Sequence, residues 1–136
     1  MLHIVISCTD TTEGEQVKRL LTPLLEEWQE QPLYREFVQD RNGFLKYVGN
    51  NPYLIMVVVQ SGPEGFQTAK LARETNQNAC LVWLSEKKEQ ALESYGCHAT
   101  HFALLPVTTE SLRCALESCR LARERTLRIR PPAMSV

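Results

Sequence analysis

Few folds accommodate the segment YLIMVVVQSGPEG, residues 53–65. Five apolar residues run without interruption from Ile55 to Val59, and polar residues with glycine and proline follow directly. A short apolar run that ends at turn residues predicts a β-strand buried on both faces. Such strands occupy the middle of parallel sheets that carry helices on both sides. Ligands of open α/β sheets bind beyond the carboxyl ends of the strands, so Val59 is expected beside any such site.

The remaining sequence alternates between apolar runs and segments with apolar residues at helical spacing. The predicted strands are residues 2–7, 33–38, 53–59, 79–84 and 101–105. The predicted helices run from Asp10 to Trp28, over 41–49, 66–76 and 86–95, and from Thr108 to Thr126. This alternation predicts an α/β, flavodoxin-like (βα)5 three-layer sandwich. The parallel five-stranded sheet should have the order 2-1-3-4-5, with the two least apolar strands at its edges.

Local signals mark several boundaries. Asp10 and Thr108 are suitable N-caps for the first and last helices, and Pro23 is expected to kink the first helix or loosen its last turn. Residues 131–132 are two prolines and indicate a linker. We therefore expect one domain over residues 1–125, followed over residues 126–136 by a linker or the start of a further domain.

The totals exclude several classes of protein. The chain has 136 residues and a net charge of −1, which gives no reason for the domain itself to bind nucleic acid or a membrane. Its five cysteines are odd in number and no signal peptide precedes them, so they indicate reduced, mostly buried thiols and a cytoplasmic location. The three histidines show no metal-ligand spacing, and we expect no metal and no cofactor.

Three stretches resemble a response-regulator receiver domain. They are MLHIVIS at residues 1–7, Gly65-Phe66 with Ala69-Lys70, and above all ALESYGCHATHFALLPVTTESLRCAL at residues 91–116. The last stretch is similar to the fourth helix, fifth strand, strand-ending proline and fifth helix of receivers. The resemblance is greatest to receivers that precede LytTR DNA-binding domains, and it extends from residue 1 to about residue 124.

The resemblance implies a particular pocket, and this sequence lacks most of it. In active receivers, two acidic residues after the first strand and an aspartate ending the third hold Mg²⁺, and that aspartate accepts the phosphoryl group. The acidic pair falls on Cys8 and Thr9, and the acceptor falls on Val59, or on Gln60 if the gap is placed differently. The lysine ending the fifth strand falls on Leu105, and only the hydroxyl of Ser85 is retained. Asp10 is the one carboxylate expected nearby.

These replacements predict a pseudo-receiver, in which Val59 and Leu105 form a buried apolar plug. The resemblance implies a regulatory protein-interaction module of a bacterial transcriptional regulator, independent of phosphorylation and without enzymatic activity. It implies a protein partner or a homodimer formed through the fourth helix, fifth strand and fifth helix. DNA would be contacted only through a following domain. The switch and interaction residues on this basis are Ser85, Phe102, Tyr95 and Leu112, with the Phe102 ring turned inward.

An enzymatic alternative rests on Cys8. This cysteine ends the first strand, where phosphocysteine carriers and small phosphatases place a nucleophile. Such an enzyme needs a phosphate cradle and a nearby cation, whereas the loop after Cys8 is acidic. A buried, unreactive thiol is therefore favoured, and a phosphocarrier or phosphatase that uses Cys8 remains the alternative.

Overall fold

A computed structural model describes residues 2–49, 51 and 53–129. Ten elements alternate along it. The strands are β1 (Leu2–Cys8), β2 (Pro32–Val38), β3 (Leu54–Val59), β4 (Cys80–Ser85) and β5 (His101–Leu104). The helices are α1 (Thr11–Glu27), α2 (Arg41–Val48), α3 (Gly62–Thr75), α4 (Gln90–Gly96) and α5 (Thr109–Ile129). The predicted linker at residues 131–132 lies outside the described residues.

The five strands form one parallel sheet in the order β2-β1-β3-β4-β5. This confirms the predicted flavodoxin-like topology, with β2 and β5 at the edges. All residues of β3 and β4 are buried, whereas β2 alternates between half-buried and exposed residues. The strand that is apolar along its whole length therefore occupies the centre, as its composition requires.

The core consists of two layers, one on each face of the sheet. Because side chains alternate along a strand, Val57 and Val59 pack under α1 and α5, whereas Met56 and Val58 pack under α2 and α3. The predicted apolar stripe of α1 is buried on the first face, at Val17, Leu21, Leu24 and Leu25. Within the described residues, no helix is long and apolar enough to span a membrane.

Three helix boundaries differ from the predicted ones. The third helix begins at Gly62 instead of residue 66, because Pro63 suits a first helical turn as well as a loop. The fourth helix begins at Gln90 instead of residue 86. Side chains hold the preceding turn, because Ser61 and Ser85 accept hydrogen bonds from the backbone N–H groups of Glu86 and Lys87.

The last helix continues to Ile129, beyond the predicted end at Thr126. Arginine and leucine are good helix formers, and they favour continuation of the helical backbone here. At the start of α5 the predicted N-cap is confirmed: the backbone N–H of Ser111 donates to Thr108 Oγ1 at 3.0 Å. The first helix includes Pro23 and ends four residues later.

Candidate functional site

The carboxyl edge of the sheet brings the ends of four strands together. Cys8 is paired in register with both Val38 and Val59. Val59 is also paired with Leu84, so the end of β4 adjoins the end of β3. The six predicted pocket residues therefore lie at or just beyond one edge: Cys8, Thr9, Asp10, Val59, Ser85 and Leu105.

The centre of this edge is apolar and closed. Val59 is 0% exposed and belongs to the core layer under α1 and α5. Leu105 packs against the same layer but retains part of its surface in solvent, so the plug is less deeply buried on the β5 side than expected. A carboxylate at Val59 would be desolvated without a cation to pair with, which is strongly unfavourable.

Cys8 is a buried thiol with little nucleophilic character. Its side chain is 3% exposed. Burial raises the pKa of Cys8 to about 11, and the negative charges of Glu36 and Glu13 act in the same direction. The thiolate is the reactive form of cysteine, so these surroundings disfavour the phosphocarrier and phosphatase alternative.

Thr9 and Asp10 are exposed and are engaged in the start of α1. The side chain of Asp10 accepts a hydrogen bond from the backbone N–H of Thr12 at 2.9 Å, as an N-cap residue does. Thr9 Oγ1 donates to Glu13 Oε1 at 3.0 Å. The one carboxylate expected near the pocket therefore stabilises a helix terminus.

Ser85 is fully buried, and its hydroxyl is held by Gln90. Ser85 Oγ donates to Gln90 Oε1 at 2.5 Å, and the same oxygen accepts the backbone N–H of Gly62 at 3.0 Å. Gln90 Nε2 in turn donates to the carbonyl of Gly62 at 2.8 Å. Gly62 has φ = +76°, a left-handed conformation that favours glycine. One glutamine thus connects the end of β4 to the start of α3.

A second set of contacts fixes the loop after β3. Trp83 Nε1 donates to the carbonyl of Gln60 at 2.8 Å, and Thr68 Oγ1 donates to Gln60 Oε1 at 2.9 Å. A Cβ atom at Gly65 would lie 1.9 Å from the Gln60 carbonyl oxygen, so only glycine permits this close approach. Arg41 Nε donates to Thr68 Oγ1 at 3.0 Å and extends the network to α2. Hydrogen bonds between the chain's own side chains and backbone therefore hold this part of the carboxyl edge in place.

The sequence-based reasoning missed Gln90 altogether. A glutamine in a polar stretch resembles any solvated helix residue, and only the fold places it between Ser85 and Gly62. The available signal was indirect: a buried strand-ending hydroxyl requires a partner, and Gln90 is the nearest amide side chain after Ser85 in the sequence.

No family model matches the chain, and no curated protein matches it either. Solved structures do match. A response-regulator receiver domain protein from Clostridium thermocellum has 14% identity and a TM-score of 0.69, with coverage of 93% of this chain and 97% of the other. The response regulatory domain of mrkE from Klebsiella pneumoniae has 17% identity and a TM-score of 0.69, with coverage of 90% and 98%. The fold is that of a response-regulator receiver domain.

The same receiver fold occurs in proteins with other described roles. A putative pilus assembly protein, cpaE, from Burkholderia thailandensis has 11% identity and a TM-score of 0.68, with coverage of 89% of this chain and 99% of the other. At such identities the similarity establishes the fold alone, so the function has to be argued from this chain's own residues.

On the side of the receiver fold formed by α4, β5 and α5, the predicted interaction residues differ in their exposure to solvent. Tyr95 is 77% exposed and can meet a partner. Leu112 is 1% exposed, so its assignment as an interaction residue is wrong: the apolar stripe of α5 faces the sheet. Phe102 is half-buried, and its ring lies edge-on to Trp83 at a centroid distance of 5.4 Å. The predicted surface therefore retains Tyr95 and loses Leu112.

Proposed function

We propose that the chain is a degenerate receiver domain that regulates through protein contacts and takes no phosphoryl group. Val59 carries this proposal: it ends the central strand, it is 0% exposed, and its side chain offers no oxygen to a metal or a phosphoryl donor. By analogy with the resemblance in its sequence, the module would belong to a bacterial transcriptional regulator of the LytTR type. DNA would then be contacted only through a further domain.

The chemistry of the surrounding residues supports the proposal. Mg²⁺ requires several oxygen ligands, commonly with one or two carboxylates among them. At this edge Asp10 is exposed and caps α1, and no cluster of three or more possible metal-ligating His, Cys, Asp or Glu residues occurs within the described part of the chain. A lysine in place of Leu105 would find neither a carboxylate at Val59 nor a phosphoryl group to neutralise it.

The Ser85 hydroxyl gives a second line of support. In an active receiver, this hydroxyl hydrogen-bonds the phosphoryl group, and its movement accompanies activation. Here the Ser85 hydroxyl already donates a hydrogen bond to Gln90 Oε1 within the protein. A ligand shifts an equilibrium only through its different affinities for two states, and no phosphoryl group is present to draw Ser85 away. The α4-β5-α5 surface would therefore be available to a partner without modification.

The test is a titration of the protein with beryllofluoride and Mg²⁺, followed by amide NMR spectra. We expect no specific shifts at Val59, Ser85 or Leu105. The same mixture added to an active receiver provides the positive control. Saturable shifts clustered at these three residues would refute the proposal.

A further inference from the structure

A cleft of about 850 Å³ opens at the amino end of the sheet, opposite the closed edge. It is formed by the carboxyl-terminal parts of α3 and α4, the starts of β4 and β5, and the distal half of α5. Its lining includes Lys70, Arg73 and Arg123 as cations, and Tyr53, Asn78 and Thr100 as neutral polar groups. The volume is in the range of small-molecule sites, and it is larger than an inorganic anion requires.

The cleft has an excess of positive charge. Among the described residues, its lining contains three cationic side chains and a single carboxylate, that of Glu74. Within the described residues, none of the three cations forms an ion pair, whereas Lys18, Arg41, Arg113 and Arg120 all do. Positive groups that share a concave surface concentrate the field and attract anions.

Arg73 is fixed in the wall of the cleft. Its Nη1 donates to the carbonyl of Ala79 at 2.7 Å, and its Nε donates to the carbonyl of His98 at 3.1 Å. The guanidinium is half-buried, and burial lowers its pKa. Its Nη1 also donates to the carbonyl of Asn76 at 3.2 Å, and its Nη2 donates to Thr100 Oγ1 at 3.4 Å. These neutral acceptors use four of its five N–H donors but carry no full negative charge. An anion in the cleft would therefore stabilise a positive charge that the protein leaves without a formal counterion.

Lys70 and Arg123 belong to two different helices that border the cleft. Lys70 is exposed on α3, and Arg123 on α5 is half-buried, with Nη2 donating to the carbonyl of Tyr53 at 3.2 Å. The Tyr53 ring is 66% exposed and provides a flat apolar face at the same opening. A ring that stacks on tyrosine and phosphate groups that pair with the cations would complement this lining.

We propose that this cleft binds a small organic phosphate of nucleotide size. Its phosphate groups would pair with Lys70 and Arg123 and lie beside the fixed positive charge of Arg73, and its ring would lie against Tyr53. This site is separate from the carboxyl edge of the sheet, and the proposal stands whether or not that edge accepts a phosphoryl group.

Isothermal titration calorimetry at physiological ionic strength, with the full chain, tests the site. The probes are ATP, sodium pyrophosphate and adenosine. We expect ATP to bind at one site, pyrophosphate to bind more weakly, and adenosine to bind more weakly than either. Lys70→Gln and Arg123→Gln should each reduce ATP affinity about tenfold, since each removes one charged contact. Lys70 is exposed and Arg123 is half-buried, and urea midpoints equal to that of the wild type would show that each variant retains the fold.

Lys46→Gln is the matched control, because Lys46 is also an exposed helical lysine but does not line the cleft. It should leave ATP binding unchanged. The proposal is overturned if neither ATP nor pyrophosphate binds, if adenosine binds as tightly as ATP, or if the control weakens binding as much as Lys70→Gln. Amide shifts on ATP addition should centre on Lys70, Asn78 and Thr100, whereas beryllofluoride probes Val59 and Ser85, so the two proposals fail separately.

Discussion

At residue 98 the backbone has φ = +53°, the left-handed conformation that glycine adopts at little cost. The position follows α4, whose last residue is Gly96. A histidine there retains the backbone contacts: its N–H donates to the Tyr95 carbonyl, and its carbonyl accepts from Arg73. A side chain at this φ clashes with its own backbone, so the native sequence carries local strain.

Replacing this side chain should stabilise the protein. We expect His98→Gly to raise the free energy of unfolding by about 1 kcal/mol, since the strain is relieved and the backbone contacts remain. His98→Ala is the control, because alanine retains the Cβ atom that causes the strain. Urea unfolding measures both, and an equal gain for alanine would contradict this explanation.

The buried thiol of Cys8 gives the stability a dependence on alkaline pH. The pKa of Cys8 is raised from 9.0 to about 11 in the folded protein. Above pH 9 the unfolded chain loses this proton and the folded chain keeps it, so the stabilising contribution is complete below pH 9 and is lost as the pH rises towards 11. The upper limit of the loss is about 2.7 kcal/mol.

Urea midpoints measured at pH 8 and at pH 10.5 should therefore differ. Cys8→Ala should reduce this difference, because the variant has no thiol to titrate at that position. Cys114→Ala is the control, since this cysteine is exposed. The explanation fails if both variants have the same dependence on pH as the wild type.

Among the elements, α4 and the end of β4 depend on a single side chain. Gln90 is 2% exposed and satisfies both the Ser85 hydroxyl and the backbone of Gly62. Its removal leaves three buried polar groups without these partners, each of which costs about 1–3 kcal/mol when unsatisfied.

We expect Gln90→Ala to lower the free energy of unfolding by about 3 kcal/mol, with water reaching part of the space. Gln67→Ala, at an exposed position on α3, is the matched control and should change the stability little. Hydrogen exchange should also become faster at Gly62 and Lys87 in the Gln90 variant. Unchanged stability and unchanged exchange rates would mean that the hydrogen bonds of Gln90 contribute nothing to the stability of the fold.

The strands and helices show which features of the fold sequence patterns can predict. The strand order and the core followed from the apolar runs, because burial on two faces permits few residue types. The start of α4 could not be predicted, since 86–89 is equally suited to a helix or a turn, and Ser61 and Ser85 decide it from elsewhere in the chain. The closed pocket edge was anticipated from Val59. The partial exposure of Leu105 and the hydrogen bonds of Gln90 to Ser85 and Gly62 depend on tertiary packing, so residue patterns did not predict them.

At the scale of the whole molecule, one side of the fold exposes large apolar groups. They are Leu92 and Tyr95 on α4, with 79% and 77% exposure, and Leu104 on β5, with 44%. β5 is an edge strand of four residues, so its outer backbone groups are also unpaired by the sheet. Such a surface favours contact with a second protein or a second copy of the chain.

We expect the protein to self-associate at high concentration through this side. Tyr95→Glu should shift the association to higher concentrations, because burying the new charge is unfavourable. Leu33→Glu, on the opposite edge strand β2, is the control and should leave the association unchanged. Sedimentation velocity measures both variants. A strictly monomeric wild type, or equal effects of the two substitutions, would contradict a homodimer on this side.

The length of α5 has a mechanical consequence. The helix continues for six residues beyond Arg123, whose guanidinium contacts the chain just before β3, and this adds roughly 9 Å of rod beyond that contact. A rod of 21 residues, roughly 31 Å long, acts as a lever arm. A tilt of about 5° at its base would displace its tip by about 3 Å, given this length. Motions too small to open the packed sheet would thus be amplified at Ile129, the last residue that the structure describes.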